Sequence, residues 1–217
     1  MLNASMAETL KEFADKLEGV TDFESALHDL IKEAIKAHKR IIFNGNGYDD
    51  AWIKEATEQR GLLNLRTTPD AMPTLLEKKN VDMLTGLKIF TKAELESRYE
   101  IMMENYVKTV TIEAQTMLDM TRKEILPAVA GYTKELTETL AAKRTILPSL
   151  PAKYETGTIT KLSSLLDQID AAADELEKTT LQIKAIDSVT ESAFQIRDAM
   201  LPINAAPPIT STKKSLP

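Results

Sequence analysis

One apolar stripe dominates the sequence and limits the folds open to it. Between Thr91 and Leu140 apolar residues recur at helical spacing, and only Pro127 interrupts them. The stripe comprises Leu95, Tyr99, Met102, Tyr106, Val110, Met117, Met120, Ile125, Val129, Tyr132, Leu136 and Leu140. Because this spacing places the side chains on one helix face, it predicts a single helix of roughly fifty residues. Proline lacks an amide hydrogen and crowds the preceding turn, so we expect a kink near Lys123–Leu126.

A second apolar stripe supplies a partner for this helix. Spacings of three and four residues alternate along a heptad seam made by Ile159, Leu162, Leu166, Ile169, Ala173, Leu176, Thr180 and Ile183. The segment ILPSLPAKYETG, with two prolines, links the two stripes, which predicts an antiparallel helical hairpin. Further helical spacing over 186–201 is predicted to end at Pro202.

Shorter helices are predicted in the N-terminal part of the chain. Apolar residues recur at helical spacing over 2–17, and a capping box of Thr21 with Glu24 starts a second helix. We expect a short helix over 51–60 that Gly61 ends, because glycine readily adopts the backbone that closes a helix. A further short helix is predicted to start at 68–69, where threonine precedes proline.

These elements together define the predicted fold. Thr91 and Glu94 form a second capping box at the start of the long helix. We therefore predict an all-α fold: a helical bundle built on a long kinked helix and an antiparallel partner helix, with shorter N-terminal helices. The predicted division has short helices and loops over 1–90, the helical hairpin or bundle over 91–202, and a disordered tail over 203–217, which is rich in Pro, Ser and Thr.

Composition excludes several classes of function. Cysteine is absent, which excludes disulfides, thiolate metal sites and a cysteine nucleophile. The net charge of -6 does not supply the broad basic face that nucleic acids require. No run of about 18 apolar residues is present, and the N-terminus lacks the pattern of a secretory signal. We therefore expect neither a nucleic acid nor a membrane as partner.

The stretch FNGNGYDDAW, residues 43–52, is the best candidate for a binding loop. It lacks the third glycine of a dinucleotide-binding loop, the Gly-Lys-Ser/Thr ending of a phosphate loop and the spacing of a calcium loop. We expect a turn whose Asp49 or Asp50 caps the next helix, with exposed groups that contact neighbouring structure. The stretch ESRYE, at 96–100, fits either an exposed ion-pair network or an interface. The candidate contact residues are Asn44, Asn46, Tyr48, Asp50, Trp52, Arg98 and Tyr99.

The search for catalytic residues finds no complete set. His28 and His38 are ten residues apart on one predicted helix, so they point in different directions. No Glu-x-x-His pair is present to build a di-iron site in a helical bundle. We therefore assign no catalytic, cofactor-binding or metal-binding residue to this chain.

Four stretches carry a family resemblance: HKRIIFNGNGYDDAW (38–52), RGLLNLRTTPDAMP (60–73), ELESRYEIMMENYVKTVTIEAQTMLDM (94–120) and ILPAV (125–129). Together they resemble the C-terminal part of type III glutamine synthetase, and the resemblance extends over about residues 2–202. It implies a cytoplasmic enzyme that joins ammonia to glutamate with ATP and Mg²⁺ and assembles as stacked rings. The metal ligands and nucleotide-binding residues of that family lie upstream of this segment, so the resemblance places no cofactor on this chain.

Both ends of the chain differ from the family pattern. Met1 lies where the family sequence is already far along, and INAAPPITSTKKSLP replaces a further helix. We therefore expect a fragment, a split gene or a frame-shifted end that is inactive alone and has a structural or assembly role. Its expected partners are the catalytic portion of a glutamine synthetase or further copies of itself. The alternative is a stand-alone helical protein–protein interaction module that associates through the heptad seam.

Overall fold

The computed structural model describes residues 2–204, and all the regular structure within that range is helical. The α-helices are α1 (Leu2–Leu17), α2 (Phe23–His38), α3 (Asp50–Lys54), α4 (Thr68–Ala71), α5 (Lys78–Gly86), α6 (Lys92–Met120), α7 (Leu126–Ile146), α8 (Lys153–Lys184), α9 (Val189–Gln195) and α10 (Leu201–Asn204). Short 3₁₀ segments span Lys39–Ile41 and Met72–Leu76, and π turns span Glu55–Gln59, Thr121–Ile125 and Ile196–Met200. The predicted all-α fold is confirmed.

The chain divides into two compact units between Tyr99 and Glu100, which we call unit 1 and unit 2. In unit 1 the core joins α1, α5 and the start of α6, where Ala4, Leu84 and Leu95 are buried together. Partly buried residues pack against them: Leu75, Leu76, Val81, Met83, Leu87 and Phe90. The predicted division at residues 90 and 91 stays a prediction. Of the predicted disordered tail, residues 205–217 lie outside the described residues.

The helix starts in unit 1 follow the side chains available to cap them. Asp22, not Thr21, caps α2, and its Oδ1 accepts from the amide of Ser25 at 3.2 Å. Thr67 caps α4, so that helix begins one residue before the predicted position. The capping box at α6 is confirmed, because the Thr91 amide donates to Glu94 Oε2 at 2.7 Å. Carboxylates and hydroxyls in these positions satisfy amides that a helix leaves without partners.

Unit 2 is built on the predicted antiparallel hairpin. Ion pairs join opposite ends of α7 and its preceding π turn to α8: Arg122 contacts Asp174 at 2.9 Å and Glu177 at 2.8 Å, and Lys143 contacts Glu155. The core includes residues of α6, α8 and the last π turn, namely Val110, Ala114, Leu176, Ile183, Ile196 and Met200. The second half of the heptad seam is therefore buried inside its own chain.

The buried face of α6 differs from the predicted stripe. Met103 is fully buried, whereas Met102 and Met120 are each about half exposed. Burial follows Leu95, Met103, Val110 and Ala114, at steps of eight, seven and four residues that also fit a helical period. The prediction followed the larger apolar side chains and so missed the small Ala114.

A π turn precedes each proline that lies inside a helix of unit 2. Thr121–Ile125 precedes Pro127, and Ile196–Met200 precedes Pro202. Proline has no amide hydrogen, so in an α-helix the carbonyl four residues before it would lack its donor. A π turn pairs residues five apart instead of four and so changes the hydrogen-bond register before the proline. The interruption predicted near Lys123–Leu126 is this π turn. The predicted stop at Pro202 is wrong, because α10 continues to Asn204.

The boundaries of α8 and α9 also differ from the predictions. Helix α8 starts at Lys153, so the end of the predicted linker is helical. Helix α9 starts at Val189, because Ser188 caps it by accepting from the amide of Glu191 at 3.3 Å.

The first prediction concerns the packing of α8. Leu176 is 1% exposed, so Leu176→Ala should lower the free energy of unfolding by about 2–5 kcal/mol through lost burial and the cavity it leaves. Leu181 lies on the same helix and is 62% exposed, so Leu181→Ala is the matched control and should change little. Urea denaturation of the full chain measures both. Equal losses in the two variants would contradict the packing described here.

The second prediction concerns pH. The hydrogen bond from Lys143 holds the pKa of the buried Glu155 carboxyl below its usual range. A lowered folded-state pKa means that this stabilisation is complete above the unfolded pKa and is lost as the pH falls through the folded pKa. The difference in unfolding midpoint between the wild type and Glu155→Gln should therefore be largest near neutral pH and shrink below about pH 4.

Glu175, which is exposed on the same helix, provides the control for this titration. Glu175→Gln should leave the pH dependence of the midpoint close to that of the wild type. A constant difference between wild type and Glu155→Gln from neutral to acidic pH would contradict the proposed contribution of the ion pair.

Candidate interface site

Side-chain hydrogen bonds shape the loop between the first 3₁₀ segment and α3. Asn46 Oδ1 accepts from the amide of Tyr48 at 3.1 Å, and the Asp49 amide donates to the Asn46 carbonyl at 3.3 Å. Asp49 Oδ1 then accepts from the amide of Ala51 at 3.0 Å, which caps α3. Asp49 is thus the helix cap that the sequence predicted as either Asp49 or Asp50, and Asp50 is the first residue of the helix.

Two aromatic side chains close the base of this loop. The rings of Phe43 and Trp52 stack with their centroids 3.7 Å apart and their planes 15° from parallel. A Cβ atom at Gly45 would lie 2.6 Å from the Phe43 ring, closer than side-chain atoms can approach. Glycine at position 45 therefore permits the stack, because any larger residue would push the ring away.

Arg60 joins the start of the loop to the π turn that follows α3. Its Nε and Nη2 donate to Glu55 Oε1 at 2.9 and 2.5 Å, and its Nη1 donates to the carbonyls of Ile42 at 2.8 Å and Arg40 at 3.2 Å. The guanidinium carbon lies 4.9 Å from the Trp52 ring centroid. A planar guanidinium can donate in several directions while lying over a ring. We call the group of Phe43, Trp52, Glu55 and Arg60 the Arg60 clasp.

The sequence did not single out Arg60 as a site residue. Its carbonyl partners lie 18 and 20 residues before it, and its carboxylate partner lies five residues before it, which is outside the i+3 and i+4 pairs of an α-helix and follows from the π turn at Glu55–Gln59. The available signal was its position directly before Gly61, which has a φ of 63° and ends the helical segment.

The loop presents polar groups outside the clasp. Tyr48 is 97% exposed, and Asn44, Asn46 and Asp50 are also exposed, whereas Trp52 is half-buried within the clasp. The five predicted loop residues thus lie in one segment. Four of them are exposed to solvent, and Trp52 packs within the clasp.

Arg98 and Tyr99 lie elsewhere in unit 1, in the second turn of α6. The Arg98 guanidinium carbon lies 4.3 Å from the Phe90 ring centroid, and Tyr99 is half-buried. Hydrogen bonds from Thr91 and, to a smaller extent, the charge of Arg98 lower the pKa of Glu94. Arg98 therefore belongs to the start of the long helix and contacts Phe90, which leaves its predicted interface role as a prediction.

Unit 1 also exposes large apolar side chains on its first two helices. The exposed fractions are 77% for Leu2, 58% for Met6 and 63% for Leu10 on α1, and 55% for Phe23 and 44% for Ile31 on α2. We call these five residues the unit 1 apolar face. The three on α1 are four residues apart, so they form one stripe.

Among residues 2–204, no three histidine, aspartate or glutamate side chains lie close enough together to hold a metal ion. Within the same range, no helix is both long enough and apolar enough to cross a membrane.

The segment that contains the loop and the clasp matches a known protein family. Residues 26–144, more than half of the chain, match the model of the glutamine synthetase C-terminal domain. The chain belongs to the glutamine synthetase C-terminal domain family. This membership confirms the resemblance that the four sequence stretches carried.

Three relatives give the extent of the similarity to this family. A glutamine synthetase of Butyrivibrio fibrisolvens is 34% identical over 180 residues, which cover 83% of this chain and 26% of that protein. The type-3 glutamine synthetase of Dictyostelium discoideum is 34% identical over 143 residues, covering 64% and 19%. A glutamine synthetase of Bacteroides fragilis is 35% identical over 150 residues, covering 67% and 20%. The chain thus spans about a quarter of the length of these relatives, or less.

The third prediction tests the clasp through Trp52, the chain's one tryptophan. Arg60→Ala removes the cation above the ring and the bonds to the carbonyls, so Trp52 emission should shift to longer wavelength and acrylamide should quench it about twofold more strongly. Arg66→Ala changes an exposed arginine six residues away and is the control. Identical emission and quenching in Arg60→Ala and the wild type would contradict the clasp.

Proposed function

We propose that this chain is the helical C-terminal part of a glutamine synthetase and serves a structural and assembly role. The observation that supports this role is the unit 1 apolar face, which exposes Leu2, Met6, Leu10, Phe23 and Ile31 in a chain that belongs to this family. Burying the exposed part of such side chains is favourable by up to about 1.5–3 kcal/mol each. The proposed partner of this face is the catalytic portion of the enzyme.

The chemistry of the proposed enzyme belongs to that catalytic portion. The relatives are named glutamine synthetases, and in the intact enzyme we infer ATP-dependent joining of ammonia to glutamate with Mg²⁺. This chain supplies no catalytic residue in our proposal, so it is inactive alone. It acts in the cytoplasm, where the intact enzyme would work.

The polar loop is a second proposed contact within the assembly. Its predicted contact residues are Asn44, Asn46, Tyr48, Asp50 and Trp52, and Arg98 with Tyr99 form a separate candidate contact at the start of α6. The rigid clasp beneath the loop supports this role, because Tyr48 is presented without the loss of loop entropy that ordering on binding would bring. Further copies of the chain within an oligomer are the other proposed partners.

Self-association through the heptad seam is the alternative role. The second half of the heptad seam is buried within its own chain, at Ala173, Leu176, Thr180 and Ile183. Leu166 and Ile169 are half-buried, so the seam has a partly open end. Association along the whole seam would require α8 to separate from the rest of unit 2. Because this would expose its buried residues, we favour the role in which the chain packs against the catalytic portion of the enzyme.

The fourth prediction tests the unit 1 apolar face. The chain is co-expressed with a Butyrivibrio fibrisolvens glutamine synthetase that lacks the segment similar to it, and the complex is measured by size exclusion with light scattering. Leu10→Asp with Phe23→Asp should weaken the complex at least about tenfold, because two charges would be buried in an apolar contact. The matched control is Ile146→Asp with Leu181→Asp, which changes two exposed apolar residues of unit 2.

The outcomes separate the proposed roles. Equal weakening by both double variants, or no complex with the unaltered chain, would contradict the assembly role. Loss of self-association in Leu166→Asp with Ile169→Asp would support the alternative. Turnover of ATP and glutamate by the purified chain alone would contradict its proposed lack of activity.

A further inference from the structure

An open groove lies beside the Arg60 clasp in unit 1. It has a volume of about 690 Å³ and is lined by Ile35, Lys36, Lys39, Arg40, Ile42 and Arg60. The end of α2 and the residues that lead into the loop form its walls. Ile35 and Ile42 are 52% and 53% exposed, so the groove offers two apolar side chains to solvent. We call it the basic groove.

Three cations of the basic groove have no carboxylate partner among residues 2–204. In the part of the chain that the structure describes, Lys36, Lys39 and Arg40 form no ion pair, although Arg40 donates to the Arg60 carbonyl at 3.4 Å. Arg60 is the exception, because it is bound to Glu55. Cations at the C-terminal end of α2 interact favourably with the helix dipole. The dipole does not account for Ile35 and Ile42, which are exposed in the same groove.

We propose that the basic groove binds an acidic, amphipathic segment of a protein partner. Apolar side chains of the segment would cover Ile35 and Ile42, while its carboxylates would pair with Lys36, Lys39 and Arg40. Mixed apolar and charged contacts of this kind give both affinity and a defined orientation. Binding here does not require the assembly role proposed above, since a free peptide of this chemistry should bind to the chain alone.

A peptide fits this groove better than a polyanionic surface does. Nucleic acids and anionic membranes are bound by extended basic faces, whereas this groove is lined by only three cations that form no ion pair within residues 2–204, together with Ile35 and Ile42. The chain as a whole carries a net charge of -6, which repels large anionic surfaces. A short segment meets only the local charge, because salt screens interactions beyond about 8–10 Å.

The clasp provides a reporter of occupancy. Arg60 lines the groove and also lies over the Trp52 ring, 4.9 Å from its centroid. A segment that displaces or stiffens Arg60 should therefore change Trp52 emission. Because Trp52 is the chain's one tryptophan, the signal comes from this site when the peptide has none.

The fifth prediction uses a fluorescein-labelled helical peptide of about 12 residues, with Leu on one face and Glu on the other. Its anisotropy should rise saturably with the chain, and Trp52 emission should change at the same concentrations. The variant Lys36→Glu, Lys39→Glu, Arg40→Glu should bind at least about tenfold more weakly, because three attractions become repulsions. Ile42→Asn should also weaken binding of the peptide. Raising the salt concentration should weaken binding to the wild type, but by less than the triple substitution does.

Three controls fix the interpretation. The triple variant Lys16→Glu, Lys78→Glu, Lys79→Glu makes the same charge change outside the groove and should bind like the wild type, with circular dichroism checking that both variants are folded. A peptide with Lys in place of each Glu should not bind. Equal affinity in the two triple variants, equal binding of the two peptides, or binding only to phosphatidylserine vesicles or to single-stranded DNA would overturn the proposal.

Discussion

Unit 2 depends on the continuity of its long helix past Pro127. A proline in a helix removes one backbone hydrogen bond and presses on the carbonyl one turn before it. The π turn Thr121–Ile125 widens the helix at that place, so α7 follows α6 without a loop. Continuity places Arg122 beside Asp174 and Glu177, while Lys143 at the far end reaches Glu155. A break at Pro127 would remove the partner against which α8 packs.

The sequence was a good guide wherever a structure follows from neighbours in the chain. The Thr91–Glu94 box and the cap of α3 depend on residues three or fewer positions apart, and both were predicted. The sequence also showed that Pro127 would disturb the helix. It could not show that a π turn would carry a helix across Pro202, because that outcome depends on Ile196 and Met200 packing into the core of unit 2.

The candidate site shows the same limit more sharply. Residues of the loop were identified from their own local pattern, but Arg60 was not, since its carbonyl partners are distant in sequence. Likewise, Met103 and Met102 are adjacent and chemically identical, so only the partner surface decides which one is buried. Patterns among neighbouring residues predict helices and turns. Packing between residues that are distant in sequence decides which helix face is buried and which arginine binds a loop.

The two glycines of the loop differ in how far the structure around them requires glycine. Gly45 is required by the chain itself, because a Cβ there would collide with the Phe43 ring. Gly47 has open space around its Cβ position and a φ outside the left-handed region, so nothing within the chain requires glycine there. Gly45 therefore constrains the packing of the loop on Phe43, whereas Gly47 does not.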